Sequence, residues 1–179
     1  MNTIWPALIA MAGAVIVGYV TQFIAEDYRR FRDGSALAAG LAGELGSYAP
    51  ALPILQAMIR QWISDIQGGK RDLIPFRPID RPVDLFFDEM VSKLGLLGVS
   101  TVEGVVSVYS NLRAFRMAME MVMTSNSEMT NDELVQRCTR CLEALERAST
   151  RGTPLVASLK ARSQQQFKIR WPWSARADE

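Results

Sequence analysis

Two cysteines, Cys138 and Cys141, form a CxxC pair, a spacing found in disulfide exchange and in zinc binding. Reactive pairs of this kind lie at a helix N-terminus, where the thiol pKa is lowered, whereas this pair lies inside an amphipathic helical pattern. Two thiolates do not complete a four-ligand zinc site, and the 179-residue chain has no histidine to add. We therefore predict two small, reduced core side chains, with redox or metal chemistry as the alternative.

Four methionines alternate along one segment, which on paper suggests thioether binding of Cu(I). They are Met117, Met119, Met121 and Met123. In a helix, successive members of this run lie about 200° apart, so the four sulfur atoms cannot converge on one ion. Because flexible thioether side chains adapt to irregular surfaces, we predict that the run forms a partner surface or part of the core.

Three aspartates lie four positions apart in the middle of the chain, Asp80, Asp84 and Asp88, and Glu89 adds another carboxylate. Of these, Asp84, Asp88 and Glu89 could hold a divalent ion or act as acid and base, which would describe an anchored enzyme or metal-binding protein. Carboxylates in the first turns of a helix also offset the helix dipole, by about 0.3–1 kcal/mol. We predict solvated, stabilising carboxylates and neither a catalytic centre nor a cofactor, with the enzyme kept as the alternative.

The charge composition excludes some classes of function. The 20 basic residues nearly balance the 19 acidic ones, and a net charge of +1 supplies no general field for nucleic acid. The absence of histidine removes any His-centred catalytic triad. With 49% hydrophobic residues, most of the chain has enough apolar surface to fold around a core.

The longest apolar segment, residues 3–25, contains no charge. As a helix it would be about 35 Å long, enough to cross a hydrocarbon layer about 30 Å thick with some tilt. A signal peptide and a buried core helix are the alternatives. The first is disfavoured because no Lys or Arg precedes the segment, which also exceeds the usual apolar length of about 7–15 residues. We predict a transmembrane helix.

Flanking charges predict the orientation of this helix. Arg29, Arg30 and Arg32 follow the apolar segment, while no basic side chain precedes it. Basic residues stay on the cytoplasmic side, so we predict the N-terminus outside and the bulk of the chain in the cytoplasm. Within the segment, small residues recur every four positions at Ala10, Ala14 and Gly18, a pattern that lets helices pack closely in lipid. Ala and Gly are also simply common in such segments.

Beyond the apolar segment, helical patterns alternate with turn signals and no alternating strand pattern is found. We predict an all-α fold with four parts, namely a transmembrane anchor at 1–25, a small-residue helix at 26–50, a compact bundle of about four or five antiparallel helices at 51–166 and a basic, aromatic tail at 167–179. Within the bundle, helix 82–97 is expected to bury Leu85, and Gly152 is expected to end a helix before a last short one.

Three sets of residues are expected to face neighbouring helices. In the small-residue helix, close packing is expected at Ala36, Ala39, Gly40 and Gly43. Apolar stripes at 3.6-residue spacing are expected to face the core on the fourth helix, at Val105, Val108, Leu112, Phe115, Met119 and Val122, and on the fifth, at Leu134, Cys138, Cys141 and Leu145.

The third and fourth predicted helices carry a set of apolar and glycine motifs, namely Leu85-Phe86-Phe87, Lys93-Leu94-Gly95-Leu96-Leu97-Gly98, Val105-Val106-Ser107-Val108-Tyr109 and Leu112-Arg113. On these residues, and over about a third of the chain in all, the sequence resembles small uncharacterised bacterial single-pass membrane proteins with a helical cytoplasmic domain. The resemblance implies a bacterial inner membrane as the location. It implies no activity and no site residue.

The C-terminal tail combines basic and aromatic residues at Lys168, Arg170, Trp171 and Trp173. This composition suits a lipid headgroup layer and a protein partner equally well. We predict contact with one of the two. The whole chain is accordingly predicted to be a membrane-anchored interaction or assembly protein, with lipid and another membrane or cytoplasmic protein, a second copy included, as partners. A bundle outside the cytoplasm with redox-active cysteines remains a further alternative.

Overall fold

A computed structural model describes residues 4–77 and 84–169. All regular structure in these ranges is helical, which confirms the predicted all-α class. The helices are α1 (Ile4–Tyr48), α2 (Ala51–Gln67), α3 (Leu85–Met90), α4 (Val99–Ser125) and α5 (Asn131–Ser163). Short 3₁₀ segments at Arg71–Leu73, Val91–Leu97 and Asn126–Glu128 join them.

Helix α1 is one unbroken element of 45 residues, so the apolar segment and the small-residue segment share a single helix. Two glycines let other elements approach it. A Cβ atom at Gly34 would lie 3.1 Å from the carbonyl oxygen of Leu96, and one at Gly40 would overlap the ring of Phe86. Gly40 is the position at which the expected close packing occurs. The other small residues expected to pack are exposed: Ala36, Ala39 and Gly43.

Helices α4 and α5 form an antiparallel hairpin. Three arginines of α5 contact α4 in one constant register: Arg137 with Met121, Arg147 with Asn111 and Arg151 with Ser107. The second half of α1 and then α2 pack in succession along this hairpin. The long helices therefore make a three-layer arrangement in which α1 and α2 share one layer.

The core has two parts, one under α1 and one under α2. The stripe expected to face the core on α4 is buried throughout: Val105, Val108, Leu112, Phe115, Met119 and Val122. The stripe of α5 is buried as well: Leu134, Cys138, Cys141 and Leu145. Periodicity at 3.6 residues therefore identified the core faces of both hairpin helices.

Helix α5 does not end at Gly152, contrary to the prediction. It continues to Ser163 with Pro154 inside it. A proline in a helix interior costs about 3 kcal/mol. The continuation buries Leu155 and Leu159 against α1 and α4, and each buried Leu returns about 1.5–3 kcal/mol, so burial outweighs the break.

The predicted helix 82–97 is divided into α3 and the 3₁₀ segment that follows it. Residues 78–83 lie outside the described structure, so the expected start of this helix is not tested. Leu85, expected in the core, is exposed, and Phe87 is buried in its place. Leu85 and Phe87 lie about 200° apart on a helix, so only one of them can face the core, and it is Phe87 that packs on Tyr109. Leu94 and Leu97, beyond the change of helix type at Val91, are also buried.

Candidate functional site

The first half of α1 stands apart from the rest of the described chain. Its most apolar stretch of 18 residues has a mean hydropathy of 1.6 and contains no buried residue. Ala10, Ala14 and Gly18 are all exposed. A Cβ atom placed on Gly18 would meet nothing within 4 Å. The small-residue face is thus open, and its predicted role in helix pairing stays a prediction.

Among the described residues, this is the one helix long and apolar enough to cross a membrane, by length and composition. A core helix of a soluble protein can meet the same criterion, but such a helix is mostly buried. Here large apolar side chains such as Ile9, Val15 and Ile16 are exposed. Exposed apolar surface of this extent is typical of a region that contacts a membrane or another protein molecule.

The three arginines after the apolar segment are solvent-exposed. Arg29 and Arg30 pair with Glu26, and Arg32 pairs with Asp33. Hydrogen bonds from Arg29 and Arg30 lower the pKa of Glu26 below its ordinary value. The side chains lie on the surface of α1 and support no element of the core, which leaves them available to lipid headgroups or water.

The methionine run is divided between surface and core. Met117 and Met121 are 67% and 45% exposed, whereas Met119 and Met123 are buried in the core part under α2. Met119 and Met123 are therefore part of the core, as one of the two alternatives predicted, and Met117 and Met121 are the members of the run that a partner could reach. The reason is the helical period, which turns alternate residues to opposite sides of α4.

Asp84 is not solvated, contrary to the prediction. It is 3% exposed, and its carboxylate accepts hydrogen bonds from the hydroxyl of Tyr48 at 3.1 Å, from Arg113 Nε at 3.3 Å and from Arg116 Nη1 at 2.7 Å. Asp88 is exposed and pairs with Arg113. Guanidinium groups thus pair with Asp84 and Asp88, two of the three carboxylates of the enzyme alternative, and the third, Glu89, lies exposed on α3.

Glu44 lies next to this group and was missed in the sequence. Its carboxylate accepts hydrogen bonds from the backbone N–H groups of Phe86 and Phe87, at 2.9 and 3.1 Å, and from the hydroxyl of Tyr109 at 2.5 Å. The two amides belong to the first turn of α3, where backbone donors have no partner within the helix. A carboxylate of α1 therefore holds the start of α3. The available signal was that Glu44 is the one charged residue between Asp33 and Arg60.

Aromatic rings and arginines close the cluster around these carboxylates. Phe87 stacks on Tyr109 with ring centroids 3.9 Å apart, and Arg113 lies 5.2 Å from the Phe87 centroid. Burial and the neighbouring carboxylates raise the pKa of Tyr48 and of Tyr109 above the ordinary tyrosine value. Both tyrosines therefore stay protonated and keep donating to the carboxylates. The carboxyl cluster, as we name Glu44, Asp84 and their partners, joins α1, α3 and α4.

The two cysteines are fully buried in the core part under α2 and form no disulfide. Burial raises the pKa of the Cys138 thiol to about 11. Burial and the neighbouring thiol raise that of Cys141 to about 12. A protonated thiol is a poor nucleophile, so the arrangement agrees with the prediction of packed core side chains.

Because both thiols stay protonated in the folded state, the free energy of unfolding depends on pH. An unfolded cysteine ionises near pH 8.5, whereas the folded thiols remain protonated to higher pH, so unfolding releases protons above that value. Stability is fully present below pH 8.5 and falls as the pH rises towards the folded pKa values. Between pH 8.5 and 9.5 we expect urea unfolding to show a loss of about 2 kcal/mol for both thiols together. The Cys138→Ala/Cys141→Ala variant should lose this slope; an unchanged slope would contradict the assignment.

The C-terminal segment makes a contact that sequence reasoning missed. The ring of Phe167 lies 5.2 Å from that of Tyr28, edge to face, and 5.5 Å from that of Phe31. The chain beyond α5 therefore returns to α1, close to the end of its apolar half. Lys168 is exposed. The other predicted tail residues lie outside the described structure: Arg170, Trp171 and Trp173.

A small apolar cavity of about 140 Å³ lies between α1, α4 and α5. Leu45, Leu112 and Val156 are among the side chains that line it. An apolar cavity of about 150 Å³ can hold a molecule the size of benzene, so this one has room for one small apolar molecule. No charged side chain lines it.

Comparison with known proteins returns no relative: no protein-family model, no curated protein sequence and no solved structure matches this chain.

Proposed function

We propose that this protein is a single-pass membrane protein whose helical bundle serves as an interaction or assembly module on one side of the bilayer. The observation that carries the proposal is the apolar first half of α1, of which the most apolar stretch has no buried residue. Lipid is the solvent that such a stretch requires, because apolar surface left in water costs about 25 cal/mol of free energy per Å².

The continuity of α1 supports an anchor over a cleaved signal peptide. The same helix carries Leu37, Leu41 and Leu45 into the core under α1. A cleavage site near residue 25 would lie inside this helix, about 12 residues before its first buried leucine. A retained helix instead transmits the position of the membrane directly to the bundle.

For orientation, we propose the N-terminus outside and the bundle in the cytoplasm of a bacterial cell, with the inner membrane as the location. Exposed Arg29, Arg30 and Arg32 on the bundle side of the apolar half support this, because basic residues near a span remain on the cytoplasmic side. The deep burial of two unpaired thiols also fits a reducing compartment.

The proposed partner surface is the exposed side of α4 around Met117 and Met121, with exposed Val106 on the same helix. Flexible thioether side chains adapt to a partner of irregular shape. The enzyme alternative receives no support from the geometry, because Asp84 is bound by two arginines and Asp88 by one of them.

Membrane fractionation followed by analysis of assembly tests the proposal. The full chain should sediment with membranes, resist alkaline carbonate and be released by detergent. The released protein should elute as a complex larger than one chain in its micelle. Met117→Gln/Met121→Gln should weaken this assembly while leaving membrane attachment intact. A chain that stays in the supernatant without detergent would refute the anchor, and a monomer unaffected by the double change would refute the assembly role.

A further inference from the structure

The end of the last helix is fastened to the start of the bundle on α1. Phe167 packs against Tyr28 and Phe31, and the guanidinium of Arg162 lies 5.1 Å from the centroid of the Phe31 ring. Two separate contacts, one before and one after the end of α5, thus hold this segment on the same two turns of α1. These contacts fix Phe167 beside α1.

These contacts lie at the level of the lipid headgroups, a statement that rests on the proposed function. Tyr28 and Phe31 follow residue 25 by three and six positions, or about 4.5 Å and 9 Å along a helix. The polar layer on each side of the hydrocarbon core is about 5–8 Å thick. Phe167 is therefore held at the boundary between the headgroups and water.

The surface near this boundary combines positive charge with exposed apolar groups. Lys168 is exposed, and Ile169 is 50% exposed. Arg29 and Arg30 are exposed as well but share one counter-charge, Glu26, so together they leave one net positive charge at this surface. In the sequence, residues 160–170 contain four basic residues and no acidic one: Lys160, Arg162, Lys168 and Arg170. Each basic residue near an anionic surface contributes about 1 kcal/mol, and the anchor keeps the local concentration of headgroups high.

We propose that residues 167–169 lie on anionic lipid headgroups beside the point where α1 enters the bilayer. The chain then contacts one leaflet twice, through the transmembrane helix and through its C-terminal segment. Composition alone suits a lipid and a protein partner equally. The contact of Phe167 with Tyr28 and Phe31 favours lipid, because it places the segment at the level of the headgroups. Trp171 and Trp173, which follow in the sequence and lie outside the described residues, supply aromatic rings of the kind that favour a headgroup layer.

The experiment labels the full chain at Ile169→Cys with an environment-sensitive fluorophore. The matched control is Ser127→Cys, an exposed position in the turn between α4 and α5, at the opposite end of the hairpin. The native cysteines are fully buried, so the label goes to the new thiol. Each protein is reconstituted into phosphatidylcholine vesicles with or without about 30% phosphatidylglycerol, and quenching by spin-labelled lipid is measured.

In anionic vesicles we expect the label at residue 169 to be quenched roughly threefold more than the label at 127, with a smaller difference in neutral vesicles. Raising the salt from about 0.1 M to about 1 M shortens the Debye length from about 10 Å to about 3 Å and should reduce the difference. A Lys168→Gln/Arg170→Gln variant, changed only at exposed or terminal residues, should also reduce it without release from the vesicles.

Failure of the inference is distinguishable from failure of the anchor. Vesicle-bound protein in which residues 169 and 127 are quenched equally overturns the lipid contact and leaves the anchor intact. A label at 169 shielded from aqueous iodide in detergent and in every vesicle alike shows a protein contact and overturns the proposal too. Protein that does not float with vesicles at all refutes the transmembrane helix, and the headgroup contact that rests on it.

Discussion

Replacing Val15 and Ile16 by lysine together should remove the full chain from the membrane. On a helix-insertion scale, a central Lys costs about 2.5–3.5 kcal/mol and an apolar residue gains about 0.3–0.6 kcal/mol. The double change therefore opposes insertion by about 6–8 kcal/mol. Fractionation after carbonate treatment should show the wild-type chain in the membrane pellet and most of the Val15→Lys/Ile16→Lys chain in the supernatant or degraded.

Ile54→Lys supplies the matched control for this prediction. Ile54 is 70% exposed on α2, close to the 65% and 62% of Val15 and Ile16. If water surrounded all three side chains, all three substitutions would be mild. Only a lipid environment around the first half of α1 makes the double change severe and Ile54→Lys harmless. Equal membrane attachment of both variants would argue against a lipid-embedded helix.

Asp84→Ala should be the most destabilising change in the carboxyl cluster. It leaves the hydroxyl of Tyr48 without an acceptor and the mostly buried Arg116 without its counter-charge. Removing one partner of a buried ion pair costs about 3–5 kcal/mol, and the 45% exposure of the Arg113 side chain reduces this to about 2–4 kcal/mol. Thermal unfolding of the full chain in detergent, followed by circular dichroism, should shift downward by roughly 5–15 °C.

Asp88→Ala is the control, because Asp88 also pairs with Arg113 but is 51% exposed. An exposed ion pair contributes about 1 kcal/mol or less, so this variant should melt within a few degrees of the wild type. Asp84→Asn, which keeps an acceptor for Tyr48 but loses the charge, should fall between the two. Equal melting temperatures for Asp84→Ala and Asp88→Ala would show that Asp84 contributes no more than a surface carboxylate.

The carboxyl cluster shows why the candidate site could be predicted only in part. Local spacing singles out Asp84 but explains it by the helix dipole. It gives no sign of Arg113 and Arg116, which follow Asp84 by 29 and 32 positions in the sequence. Arg113 and Arg116 come from α4, and Glu44 comes from α1. Contacts of this separation in sequence depend on how the helices are folded back, which the local pattern does not encode.

The amino-acid sequence by itself determined the all-α class, the apolar first half of α1, and the buried faces of α4 and α5. These follow from length, absence of charge and a 3.6-residue period, all of which are local properties. Tertiary structure alone decided that α5 runs through Gly152 and Pro154, since the gain is the burial of Leu155 and Leu159 against other helices. It also decided that Phe167 returns to Tyr28 and Phe31, because that contact joins residues about 140 positions apart, brought together only by the antiparallel return of α5.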